Sequence, residues 1–327
     1  MNKKVLFSLV VLFALVLASC APAAAPAEEA APAEGAAPAE EAAPAEAAPA
    51  CPAVECAPEE VVAMPLADVE AACAADAYGC AQIDPGTTMK IGMGSPMTGG
   101  DSAFGIDAEN SGLLAVADDC GYAGFSFELV AEDDQGAPEG GAAVANKFAA
   151  DPSVLAVAGH LFSGATAAAA PIYQGVGVPM LSPSATNPAL TTQGWSVFNR
   201  VPFTDQTQAE VVAEFIYNEL GLTRAAVLHD GEDYGKGLAT LFQAAFEAVG
   251  GEVVAFEGIT SKEADYSPVL TTLAALQPDV LYFGGYTQDG SVLANQMKTT
   301  GLENAVFFGC DEIEEHTSEL QSRQVIS

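Results

Sequence analysis

Between Met89 and Phe308, short apolar runs alternate with longer stretches of helical period, and this alternation limits the fold more than any other feature of the chain. Lys90 to Gly94 predicts a strand. Phe104 to Cys120 predicts a helix with apolar Leu113, Leu114, Val116 and Ala117, and Phe125 to Ala131 alternates as a second strand should. Helix Gly140 to Ala150, strand Val154 to Ala158, helix Gly164 to Gln174 and strand Val178 to Leu181 follow. After Arg200 the pattern restarts with helix Thr207 to Leu220, strand Ala225 to His229, helix Gly237 to Val249 and strand Glu252 to Phe256. It continues with helix Pro268 to Leu276, strand Val280 to Phe283, helix Ser291 to Thr300 and strand Ala305 to Phe308. Such βαβ units imply parallel sheets with helices on both faces and right-handed crossovers.

The pattern breaks at Asn199 to Asp205, where Pro202 interrupts a strand-like run and Thr204-Asp205-Gln206 offers a helix cap. The expected fold class is therefore α/β, with two doubly wound parallel-sheet lobes, residues 89–203 and 204–311, joined by a hinge at Val201 to Thr204.

The first sixty residues follow other rules. Lys3 and Lys4 precede a run from Val5 to Leu17 broken only by Ser8, too short to span roughly 30 Å of hydrocarbon at about 1.5 Å per residue. Residues 1–20 read as a signal peptide, ending in Leu17-Ala18-Ser19-Cys20, which resembles a bacterial lipobox. Cleavage there would leave Cys20 carrying a lipid, so the chain is expected to be extracytoplasmic and to touch the membrane through that lipid only. Residues 21–60 hold eight Pro and nine Glu with no Lys, Arg or aromatic residue, so they cannot bury a core and read as an extended tether. Residues 61–88 form a cysteine-containing segment before the first lobe. Beyond Cys20, six cysteines remain in a compartment where disulfides persist, which allows fifteen pairings. Nearness favours Cys73 with Cys80, and Cys51 with Cys56. The spacing is not that of a zinc site, and His160, His229 and His316 lie far apart, so neither metal nor cofactor is expected. With 44 acidic against 10 basic side chains and a formal charge of −34, the surface cannot neutralise phosphates, which excludes a nucleic-acid partner.

The polar motifs follow strands, where doubly wound folds place ligands. Ser163 and Gly164 open a helix after an apolar strand, so backbone N–H groups and a hydroxyl converge at the positive end of the helix dipole and suit a small carboxylate. A plain helix cap would use Ser163 equally well. The spacing Gly159 to Gly164 suggests a phosphate loop, but Ala165-Thr166 stands where Lys-Ser/Thr is required. Asp311, after the last strand, offers a partner for an ammonium group, and Phe104, Phe162, Tyr234 and Tyr286 offer apolar walls. Together these describe a site for a zwitterionic amino acid with an apolar side chain. No G-x-S-x-G or Cys-His context accompanies the histidines, so no enzyme is expected.

Five stretches carry a family likeness: Gly159-His-Leu-Phe-Ser163, Ser182-Pro-Ser-Ala-Thr-Asn-Pro188, Tyr234-Gly-Lys-Gly237, Phe256-Glu-Gly-Ile-Thr260 and Tyr282-Phe-Gly-Gly-Tyr286. From about Met89 to Asp311 the chain resembles the type I periplasmic binding proteins, in their leucine/isoleucine/valine-binding branch. The resemblance implies that Ser163 and Thr186 bind a ligand carboxylate and that the Ala185 carbonyl and Asp311 bind its ammonium. It also implies that Tyr234 and Tyr286 close over the ligand, while Phe104 and Phe162 stand beside it. The implied function is capture of a branched-chain or other apolar amino acid by lobe closure and delivery to an ABC transporter permease. A lipoprotein sensing amino acids or short amides for a signalling partner would share the same cleft. After Asp311 the family continues substantially, whereas sixteen residues remain here and Glu314 to Ser322 reads like a translated adapter oligonucleotide. Residues 312–327 are accordingly expected to be a non-family tail on a C-terminally truncated fold, with incomplete helical cover on both lobes.

Overall fold

The computed structural model describes residues 65–84, 86–118, 125–310 and 325–326. Cys20, the tether, Cys51, Cys56, Cys120 and Asp311 therefore lie outside the described residues. Strands β1 (Met89–Ser95), β2 (Phe127–Asp133), β3 (Val154–Gly159), β4 (Met180–Ser182) and β5 (Phe198–Arg200) form one sheet in the order β2-β1-β3-β4-β5. Strands β6 (Arg224–His229), β7 (Glu252–Gly258), β8 (Val280–Gly284), β9 (Val306–Phe308) and β10 (Val325–Ile326) form a second, in the order β10-β9-β8-β6-β7. Every pairing is parallel. Counted within each lobe, the two orders are the same. The first strand has its successor on one side and the third strand on the other, so the chain reverses direction between β1 and β3, and again between β6 and β8.

In the second lobe the strands read as continuous apolar runs because both faces are covered. Ala225 and Val227 of β6, with Val280 and Tyr282 of β8, pack under α5 (Asp205–Glu214) and α6 (Asp233–Ala248), where Phe242 and Phe246 are fully buried. Ala226, Leu228, Leu281 and Phe283 face the other way, against α7 (Ser267–Ala274) and α8 (Thr287–Gln296). Each buried Phe or Leu contributes about 1.5–3 kcal/mol. Helices thus pack on both faces of the second sheet. Helix α5 ends earlier than its apolar pattern predicts. It widens into a π turn over Phe215–Glu219, and Gly221 follows in the left-handed region at φ 70°.

The first lobe is built differently on its two faces. Helices α3 (Pro138–Ala149) and α4 (Ser163–Val176) bury Val144, Phe148, Ala169 and Tyr173 against Val157 and Met180. Among the described residues only α2 (Ser102–Asp118) lies on the opposite face, so the residues expected to be its buried stripe are half out: Leu113 is 48% and Leu114 59% exposed, alongside Leu181 of β4 at 48%. A helix buries an apolar stripe only when a neighbour exists to receive it.

Two elements escape the periodicity argument. The three residues of β5 add an edge to the first sheet, so the chain leaves that sheet after Arg200 and crosses through Val201 to Thr204. Thr204 sits at the N-cap position of α5 but its side chain makes no cap bond; its carbonyl accepts from the N–H groups of Thr207 and Gln208. Ahead of the first lobe, α1 (Leu66–Ala75) buries none of its residues. Cys73 and Cys80 are joined by a disulfide with their Cα atoms 5.1 Å apart. The ring of Tyr78 packs on Gly177, whose φ of 77° ends α4 and whose lack of a side chain makes room for it. Strand β10 falls in the segment expected to be an unrelated tail, and it pairs with β9 through Val325 with Phe307 and Ile326 with Phe308.

Candidate functional site

The C-terminal ends of β1 and β3 in one lobe, and of β6 and β8 in the other, carry the loops that meet between the lobes. This follows from the strand order, since the crevice opens where the chain reverses across the sheet. Five of the residues expected in the site, Phe104, Phe162, Ser163, Tyr234 and Tyr286, line one cavity of about 800 Å³ between the lobes. Apart from the two tyrosines, its walls belong to the first lobe and are largely apolar, with Met93, Leu161 and Leu181 among them.

Ser163 is 2% exposed and is the first residue of α4, with Phe162 rather than Ser163 at the cap position. Its Oγ accepts a hydrogen bond from the Asn187 N–H at 3.3 Å, which sets the loop after β4 against the helix start. The Thr186 Oγ1 is buried on that loop and has no hydrogen-bond partner among the described residues. Such a hydroxyl is costly unless something comes to bond it. The Asn187 contact sets the loop that carries Thr186 beside Ser163, but of the two only Ser163 is among the residues that line the cavity.

The Ala185 carbonyl, expected to hold an ammonium group, accepts a hydrogen bond from the Arg200 guanidinium at 3.1 Å, and Arg200 also donates to the Asn187 carbonyl at 2.8 Å. Arg200 was not among the expected residues. Its signal was its place at the end of β5, a strand too short to be read from periodicity.

The aromatic residues form a chain across the cleft. Phe162 stacks on Tyr286 with ring centroids 4.1 Å apart and planes 16° apart. Tyr286 lies tilted against Tyr234 at 5.3 Å, and Phe104 meets Phe162 edge-on at 6.3 Å. Phe104, 40% exposed, stands at the rim. Two further contacts cross between the lobes: Asn187 Nδ2 donates to the Asp233 carbonyl at 2.8 Å, and Lys262 Nζ lies 3.9 Å from Asp101 Oδ2. Neither pair was visible in the sequence.

The backbone of the loop after β3 is held from below. His160 is fully buried, with Nδ1 2.7 Å from Asp134 Oδ2 and Nε2 3.1 Å from the Tyr173 hydroxyl. Its carbonyl accepts from Ser182 Oγ at 2.6 Å and Thr166 Oγ1 at 3.1 Å, and Ser184 Oγ donates to the Leu161 carbonyl at 2.7 Å. Burial, and the nearby Asp134 carboxylate, push the Tyr173 phenol up. With both ring nitrogens engaged away from the cavity, His160 braces the two loops and is not placed to act as a base on a ligand. In the second lobe His229 accepts from the Gly231 N–H at 3.1 Å, and burial holds its pKa down. The Cys310 thiol donates to the Gly285 carbonyl at 2.9 Å. No three His, Cys, Asp or Glu side chains are grouped to hold a metal ion, and no helix is long and apolar enough to cross a membrane, among the described residues.

Two wound lobes whose strand tips enclose one cavity define a hinged binding protein, and comparison with known proteins agrees. Residues 88–321 match the family model described as periplasmic binding protein, and the chain belongs to that family. It is 35% identical over 226 residues to the leucine-, isoleucine-, valine-, threonine-, and alanine-binding protein of Pseudomonas aeruginosa, covering 68% of this chain and 60% of that relative. A leucine-binding protein structure from Thermotoga maritima superposes with a TM-score of 0.65 at 32% identity, covering 68% and 63% of the two chains. A branched-chain amino acid transporter substrate-binding protein from Streptococcus pneumoniae, solved with isoleucine, gives 0.62 at 28% identity, covering 68% and 64%. The fold is the type I periplasmic-binding fold. The chain spans about three fifths of the length of the curated relatives it matches.

Proposed function

We propose that the protein is an extracytoplasmic solute receptor that captures a branched-chain or other apolar amino acid by lobe closure and performs no chemistry on it. The observation that carries this reading is the interlobe cavity of about 800 Å³ with Ser163 at the start of α4 on one wall and Tyr234 and Tyr286 on the other. The ligand carboxylate bonds the Ser163 and Thr186 hydroxyls and the first backbone N–H groups of α4, where the helix dipole favours negative charge. Asp311 takes the ammonium, and the four aromatic rings enclose the apolar side chain. Relatives named for binding leucine, isoleucine and valine support this class of ligand. Closure follows from differential affinity, since the tyrosines reach the ligand only when the lobes meet.

In this reading Cys20 carries the lipid, residues 21–60 let the anchored receptor sample nearby solution, and the closed form docks on an ABC transporter permease. Calorimetry on the full chain tests the ligand class with L-leucine, L-isoleucine, L-valine, polar amino acids and short amides. An apolar amino acid is expected to bind at micromolar concentration or below, and Ser163→Ala is expected to weaken it by about 1–3 kcal/mol. Undiminished affinity in that variant would remove Ser163 from the site.

A further inference from the structure

Beside the aromatic stack, on its far side from the ligand cavity, a smaller crevice of about 300 Å³ runs between the lobes. Asp101 and Glu139 line it from the first lobe, Glu232 and Asp289 from the second, and Lys262 is the one cation among the described residues on its walls. In a chain with ten basic residues against 44 acidic ones, a lysine set among four carboxylates is informative. Closing the lobes brings like charges together here, and the contact is close: Gly100 of the first lobe abuts the side-chain amide of Gln288 of α8.

The lysine is held in place rather than merely near. Its backbone lies in the left-handed region at φ 68°, unusual for a residue with a side chain, and its N–H donates to Asp289 Oδ1 at 2.7 Å. Asp289, 2% exposed, also accepts from Ser261 Oγ at 2.6 Å and from the Tyr266 hydroxyl at 2.7 Å. This carboxylate thus fixes the turn that sends Lys262 across the cleft, where Nζ lies 3.9 Å from Asp101 Oδ2. Asp101 is 7% exposed, and its carboxyl is pushed up by burial, drawn down by Lys262 and pushed up again by Asp289.

We infer that Lys262 is a latch residue of this receptor: presented by Asp289, it converts the repulsion between Asp101 and the carboxylates of the opposite lobe into an attraction that favours the closed state. The inference rests on the lobe-closure reading above, and it adds a positioning residue that touches no ligand.

The test combines L-leucine affinity with the distance between fluorophores placed through unnatural amino acids at exposed Gln193 and Glu303, one on each lobe of the full chain. Lys262→Gln is expected to lower affinity by about two- to fivefold, the range of a partly exposed ion pair, and to shift the ligand-free distance distribution towards longer values. Lys262→Glu is expected to do both more strongly. Asp101→Asn is expected to lower affinity slightly in the parent but to raise it in the Lys262→Gln background, where it removes only repulsion. That reversal of sign is what a latch requires and a loss of packing does not produce. Unchanged distances and affinity in Lys262→Gln, or an Asp101→Asn effect of the same sign in both backgrounds, would overturn the inference. If the parent binds none of the amino acids yet its ligand-free distances respond to Lys262→Gln, the ligand assignment fails and the latch stands.

Discussion

Asp230 stands at the tip of β6, 5% exposed, beside the point where the second sheet reverses direction. Its Oδ1 accepts the Glu232 N–H at 2.9 Å, whereas its Oδ2 is buried without a hydrogen-bond partner among the described residues. Burial first, and then Glu232 and Asp289, push its pKa up to about 7. In the unfolded chain the same carboxyl titrates near 3.9. The folded protein therefore holds a proton that the unfolded chain releases, and stability falls as pH rises between those two values. At about 1.4 kcal/mol per pH unit the loss is roughly 1.5 kcal/mol by pH 5 and about 4 kcal/mol by pH 8.

Asp230→Asn removes this titration while keeping the shape and the acceptor for Glu232. The amide brings its own cost, a buried N–H group lacking a partner, but that cost does not vary with pH. The stability difference between Asn and Asp variants is therefore expected to move by about 3 kcal/mol in favour of Asn between pH 5 and pH 8. Urea unfolding at pH 5, 6, 7 and 8 measures it, followed by circular dichroism because Trp195, the one tryptophan, reports on the first lobe only. Asp151, whose pKa is drawn down by its hydrogen bond to Lys90, loses stability on acidification below that window and does not confuse the comparison. Profiles that run parallel across the four pH values would refute the assignment of a raised pKa to this carboxyl.

Two further substitutions probe the frame that carries the site. Phe148→Ala empties the centre of the first lobe's core, where the ring is 2% exposed and packs on Gly92, and is expected to cost about 3–5 kcal/mol in urea unfolding followed by Trp195 fluorescence. Gly94→Ala places a methyl group into the His160 ring, and is expected to destabilise the first lobe by about 1–3 kcal/mol and to weaken L-leucine binding by shifting the loop that carries Ser163; full stability with unaltered affinity would show that His160 does not brace that loop.

How far the sequence exposes this molecule depends on whether each feature is decided locally. Strands such as Val280 to Gly284 are legible because both faces are buried, so every position is apolar and no register has to be guessed. Strand β5 is three residues long and α1 buries nothing, so neither carries a period to detect. Ser163 and the tyrosines are legible because they sit just beyond strand ends, where the topology sends loops towards the cleft. Arg200 on Ala185, Lys262 against Asp101 and Asn187 on Asp233 are not, since each pairing depends on segments that are distant in the chain and are brought together only by folding or docking.

The same topology, used twice, puts different chemistry on the two walls. The first lobe presents the Ser163 hydroxyl and the start of a 14-residue helix, both anchored through His160, Ser182 and Ser184 to one sheet. The second presents two phenol rings and a rim of carboxylates, Glu232 and Asp289 among them. In the proposed function the start of α4 attracts a carboxylate, so a zwitterion enters carboxylate first onto the first lobe and is covered afterwards. On that reading the first lobe recognises the head group of the zwitterion, and the aromatic stack and the Lys262 contact decide how firmly the cleft stays shut.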